Sequence, residues 1–113
     1  MQRRDKVTLK KILNAIDEAL EILKSVSEEQ FLTSTVLKLS MGMSVIRVGE
    51  LVKDLTWDFR HANPQVPWRD ITGFRDVAAH KYETIDMREL YGTIKKDFPE
   101  LKLQIEQILT EGD

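Results

Sequence analysis

Cysteine is absent from this 113-residue chain, which excludes disulfides and thiolate metal sites. His61 and His80 are its two histidines, so a zinc site would have to draw on carboxylates as well. No apolar run reaches the roughly 18 residues that a membrane-spanning helix needs. Residues 1–15 carry charges throughout, so neither a transmembrane span nor a signal peptide is expected, and the expected location is the cytoplasm. An excess of basic charge is missing too: 17 Lys and Arg stand against 19 Asp and Glu, a net charge of −2. Proteins that grip nucleic acid over a wide footprint are usually basic, so any RNA or nucleotide contact is expected to be local. The one basic cluster, Arg3, Arg4, Lys6, Lys10 and Lys11, heads the first predicted helix, where cations oppose the helix dipole. It reads either as a solvated terminus or as a surface that tracks phosphates. No strand pattern and no internal repeat is present.

What remains is helical periodicity. Leu9, Ile12, Leu13, Ile16, Leu20 and Leu23 follow the i, i+3, i+4, i+7 spacing of an amphipathic helix over about residues 5–25. Ser27 with Gln30 makes a capping box that restarts a helix, predicted to run to about Asp58. That helix has two apolar faces: Leu32, Val36, Leu39, Met43 and Ile46 on one, and Leu37, Met41, Val45, Val48, Val52 and Leu55 on the other. A helix apolar nearly all round is buried nearly all round, either by its own chain or by a second copy. Gly42 and Gly49 are nearly aligned and permit another helix to come close. Val45 is placed on the face assigned to the seam of a homodimer.

His61–Trp68 reads as a loop, because Pro64 and Pro67 disfavour helix in the residues before them. Trp68 is expected to plug the edge of the core as the next helix starts, with Ile71, Phe74, Val77 and Ala78 as its buried stripe. Asp86 and Glu89 begin a further helix carrying Leu90 and Ile94. It breaks or restarts at Asp97-Phe98-Pro99-Glu100 and continues through Leu101, Ile105, Ile108 and Leu109. The chain is thus expected to be one domain, residues 1–113, folded as an all-α bundle of four or five helices.

The residues richest in chemistry are Arg75, His80 and Tyr82, in an R-x4-H-x-Y spacing that chance gives with a probability of roughly 0.002 for this composition. They supply a permanent cation, a group that exchanges protons near neutral pH, and a phenolic hydroxyl. On a regular helix Arg75 and His80 lie about 140° apart and do not easily meet on one phosphate. Either the helix ends or kinks near Ala78-Ala79-His80, or two chains share a cleft. The plainer alternative is that Arg75 pairs with Asp76 or Glu83, His80 caps a helix end, and Tyr82 packs its ring.

Trp68-x2-Ile71-x-Gly73-x-Arg75-Asp76-x3-His80-x-Tyr82 resembles the signature of the HEPN superfamily, in its HepT-type branch. Gly49-Glu50, Pro67-Trp68 and Asp97-Phe98-Pro99-Glu100-Leu101 resemble that branch as well, so the likeness covers roughly residues 5–110. The resemblance implies a helical homodimer that acts as a metal-independent ribonuclease toxin on RNA, without a cofactor. It also implies a minimal nucleotidyltransferase antitoxin as partner, which attaches AMP to the motif tyrosine. On this likeness Arg75 and His80 are the catalytic pair and Tyr82 the modified residue. Where family members often carry an arginine on the second helix this chain has Met43, with Arg47 one turn on as a substitute.

The chemistry also follows from the residues. RNA cleavage without metal needs a base for the 2′-hydroxyl, an acid for the leaving 5′-oxygen, and positive charge on the phosphorane. Histidine serves either proton role and arginine supplies the charge. Asp76 is expected to orient one of them, or else to face solvent or support the helix. Glu50, on the buried helix, is expected to need a partner such as an arginine. The competing reading is a non-catalytic helical dimer that serves as binding or adaptor subunit for a nucleotidyltransferase.

Overall fold

The first helix forms where the apolar spacing puts it. In the computed structural model, which describes residues 1–111 of the chain, α1 spans Arg3–Ile22. Leu9, Ile12, Ile16 and Leu23 are fully buried along or just beyond it. Gly112 and Asp113, the end of the expected domain, lie outside the described residues. The Ser27–Gln30 capping box forms as expected, with the Ser27 hydroxyl accepting from the Gln30 N–H at 3.1 Å and the Gln30 side chain accepting from the Ser27 N–H at 2.9 Å.

The helix that follows is not continuous to Asp58. It divides into α2 (Glu28–Leu32), α3 (Thr35–Asp54) and α4 (Trp57–Ala62). Each restart has its own cap. The Ser34 hydroxyl accepts from the Leu37 N–H at 3.1 Å, and the Thr56 hydroxyl accepts from the Phe59 N–H at 3.1 Å. Such caps satisfy the orphan donors of a first helical turn, so a short break costs little. The expected loop shrinks accordingly, because His61 belongs to α4.

The corner between α3 and α4 is pinned from a distance. Asp5, 1% exposed, accepts from the Thr56 N–H at 2.8 Å and from its hydroxyl at 2.7 Å. A buried carboxylate is tolerable only with such partners, and this one fastens the head of α1 to the turn.

α5 runs from Trp68 to His80 and is followed by a 3₁₀ turn at Tyr82–Thr84. Trp68 plugs the core edge as expected, 7% exposed, its indole N–H donating to the Asn63 carbonyl at 3.0 Å. Of the expected stripe, Ala78 is buried, Ile71 and Phe74 are half-buried, and Val77 is exposed. α6 (Met87–Gly92) passes through a wide π turn, Thr93–Asp97, into α7 (Phe98–Glu111). Pro99 explains the turn: it has no N–H for the Lys95 carbonyl, and its ring would crowd that carbonyl in a regular helix.

The long helices α1, α3, α5 and the α6–α7 pair form an all-α bundle, with α3 packed most extensively on α5 and then on α1. Among the described residues no helix is long and apolar enough to cross a membrane.

The structure also decides between the two apolar faces of α3. Met41, Val45, Val48 and Val52 point into the core, with Val45 4% exposed. Val36, Leu39 and Met43 remain 72%, 54% and 61% exposed. Val45 therefore belongs to the protomer's own core, and the uncovered face is the other one. Hydropathy does not make this distinction, since both faces are apolar.

Candidate active site

The two α3 glycines explain how the motif residues are held. A Cβ on Gly49 would overlap the Arg75 Cβ, and one on Gly42 would stand 2.8 Å from the Tyr82 ring. Gly42 and Gly49 are seven residues apart, as are Tyr82 and Arg75, and the numbers run in opposite directions, as antiparallel packing requires. The close approach expected of these glycines is thus made within the same chain, by α5 at Gly49 and by the 3₁₀ turn after it at Gly42.

Arg75 lies in the resulting seam, its side chain 18% exposed. It donates to Glu50 at 2.9 Å and to Asp76 at 3.1 Å, and Asp76 also accepts from Lys53 at 2.7 Å. Hydrogen bonds to Glu50 first, and to Asp76 second, raise the Arg75 guanidinium above its ordinary value. Lys53 first and Arg75 second hold the Asp76 carboxyl below the usual carboxylate range. Among the described residues the buried Arg75 Nε has no hydrogen-bond partner. Such orphaned donors are uncommon, and here one accompanies the tight seating of the stem.

Glu50 has the arginine partner that the sequence suggested, but it is 56% exposed rather than buried. Arg75 pairs with Asp76 as in the plainer reading, and with Glu50 rather than Glu83. Arg47 stands apart from this network and bridges Glu18 of α1 at 2.6 Å. Lys53, one turn beyond Glu50, lies outside the sequence motif; its i+3 spacing from Glu50 is the signal the sequence carries.

His80 is exposed on the last turn of α5, and among the described residues nothing bonds to its ring. α5 stays helical through His80, so the expected separation of about 140° from Arg75 holds within one chain. The structure does not bring the two together. Tyr82 is half-buried against Gly42. Burial, and after it the charge of Glu83, pushes its phenol above the ordinary value, so it is neutral at pH 7. Among the described residues no group of three or more His, Cys, Asp and Glu side chains is arranged to hold a metal ion.

Comparison with known proteins agrees with the motif. A family model described as "Ribonuclease HepT-like" matches residues 12–108. The chain is 37% identical to "Putative RNase TTE0752" of Caldanaerobacter subterraneus over 101 residues, 89% of this chain and 90% of the relative. It is 32% identical to "Probable ribonuclease HepT" of Thermococcus cleftensis over 108 residues, 96% of this chain and 98% of the relative. A Methanocaldococcus jannaschii protein, "Gamma-glutamylcyclotransferase and putative RNase MJ0434", is 32% identical over all of this chain and 51% of its own length. No solved structure matches. With Arg75 and Tyr82 of its motif seated on the α3 glycines and a family match over residues 12–108, the chain belongs to the ribonuclease HepT-like family of the HEPN superfamily.

Proposed function

We propose that this chain is a metal-independent endoribonuclease, the cytoplasmic toxin of a toxin–antitoxin pair, working as a two-fold homodimer. The observation that carries the reading is the division of labour along α5. Arg75 is fixed in an ion-pair network, while His80, five residues on, is exposed and unbonded. The absence of a bond to the His80 ring holds among the described residues; one group is suited to hold charge in place and the other to move protons.

His80 takes the proton of the 2′-hydroxyl as that oxygen bonds to phosphorus, or gives a proton to the departing 5′-oxygen; with two copies, each role has its own imidazole. Arg75 stabilises the extra negative charge of the phosphorane through the N–H groups that Glu50 and Asp76 leave free. The products are a 2′,3′-cyclic phosphate and a 5′-hydroxyl.

The dimer is supported by the uncovered face of α3. At 100° per residue, Val36, Leu39, Met43, Ile46 and Glu50 fall within a sector of about 80°, and Glu50 is the carboxylate bound to Arg75. A second copy covering that face would bring its own α5 beside the first. Control by a nucleotidyltransferase antitoxin would act at Tyr82, where an added AMP carries bulk and negative charge toward the Arg75 seam.

The engagement of Arg75 by two carboxylates favours a second reading, a non-catalytic adaptor for a nucleotidyltransferase. Expression of this chain alone separates the two. The toxin reading expects growth arrest that His80→Ala relieves; growth without arrest, or arrest that His80→Ala leaves intact, contradicts it.

A further inference from the structure

A second cluster lies at the other end of α5. Trp57, on the first turn of α4, is 66% exposed, an unusual position for the largest apolar side chain. The Arg60 guanidinium lies 4.1 Å over its ring, and the His61 ring is 5.7 Å away. Together with Arg69 they line a groove of about 630 Å³ between α4 and the start of α5. Arg69 is exposed, and among the described residues nothing pairs with its guanidinium. The opposing charge on this lining is Asp70.

We propose that this groove is a docking subsite for single-stranded RNA, in which a base stacks on Trp57 while Arg60 and Arg69 hold the flanking phosphates. Sequence-tolerant recognition of single strands combines these two elements, an aromatic platform and cations along the backbone path. It also accommodates a chain with no basic surplus, because the contact is local. The route from groove to motif is open. Arg69, Asp76 and His80 lie within about 40° of one another around α5, and Arg69 to His80 spans about 16 Å of helix. All three are exposed. Gly73, between them on the same side, has open space where a Cβ would stand. The charge of Asp76 is offset by Lys53 and Arg75. A strand anchored at Trp57 thus runs along α5 to the exposed imidazole.

The importance of this subsite rests on the ribonuclease reading, but its test does not. The probe is an oligouridylate with 2′-O-methyl groups, which lacks the 2′-hydroxyl nucleophile and stays intact. Trp68 is buried and Trp57 exposed, so stacking is seen as quenching of Trp57 fluorescence. Trp57→Ala should weaken binding about 5- to 150-fold and abolish the quenching, with Trp57→Phe intermediate in affinity. Arg69→Gln should flatten the slope of log Kd against log salt by about 0.7. Unchanged affinity in Trp57→Ala overturns the subsite and leaves the patch to a protein partner, whether or not the chain cleaves RNA. Quenching by the probe in a chain that cleaves no RNA supports the subsite and contradicts the ribonuclease reading instead.

Discussion

Gly49 and Arg75 touch so closely that a single methyl group on the glycine would overlap the arginine's Cβ. Their contact brings α5 against α3 and sets the guanidinium within reach of Glu50, at 2.9 Å. The ion-pair network around the motif arginine thus depends on a residue whose contribution is the absence of a side chain.

Gly49→Ala is therefore expected to destabilise the protein, even though alanine is the better helix former. Overpacking costs about 1–3 kcal/mol against a propensity gain of up to about 1 kcal/mol. The neighbour is a Cβ, which no rotamer change can move. Gly73→Ala, with open space around it, should instead stabilise by about 0.5–1 kcal/mol. Gly42→Ala meets a ring that can swing, so its cost should fall between the two. Urea unfolding of the three variants gives the order, and a Gly49→Ala protein more stable than Gly73→Ala would remove the close-approach account.

The two faces of α3 predict opposite outcomes for the same substitution. Val45→Glu buries a carboxylate in the core and forfeits about 1.5–3 kcal/mol of apolar burial, a large part of a stability of roughly 5–15 kcal/mol. It should leave the chain unfolded or aggregated. Met43→Glu, at a site 61% exposed, should leave the helices intact by circular dichroism while halving the mass seen by light scattering. An unaltered mass for Met43→Glu would show that this face is not the seam.

These outcomes mark what the sequence made legible. The α1 stripe, the Ser27–Gln30 box and the placement of Trp68 were visible because each rests on residues within a few positions of one another. The break at Thr33-Ser34 was hidden because Leu32, Val36 and Leu37 continue the apolar rhythm across it, and because the third helical position after Ser34 is a leucine, so the cap is not a box. The link from Asp5 to Thr56 spans 51 positions and leaves no local trace. Of the candidate site, the residue types and their angular separation could be read. Which face of α3 is inward, and that its glycines receive α5 and the turn after it from the same chain, are matters of packing.

Asp76 predicts an acid-dependent term. Its folded-state pKa is depressed by Lys53 and Arg75, so its contribution is present above the unfolded carboxylate value of about 3.9 and is lost as pH falls through the lower folded value. The carboxylate is half exposed, so the effect should be small. Urea midpoints taken between pH 6 and pH 3 should fall with acid less steeply in Asp76→Asn than in the wild type. Identical curves would show that the pairing adds nothing to stability.

Modification of Tyr82 has a direct mass readout. Co-expression with a cognate nucleotidyltransferase should add one or more AMP units of roughly 329 Da each to the wild-type chain and none to Tyr82→Phe. A modified and neutralised Tyr82→Phe protein would place the control at another residue.

The most direct test of the central claim is cleavage of single-stranded RNA by the purified protein in the presence of EDTA. Wild-type protein should cut and leave 2′,3′-cyclic phosphate ends, while His80→Ala and Arg75→Ala, folded by circular dichroism, should each lose activity by at least about 10²-fold. Full activity of the His80→Ala protein in that assay would contradict the assignment of His80 as the proton-transferring group.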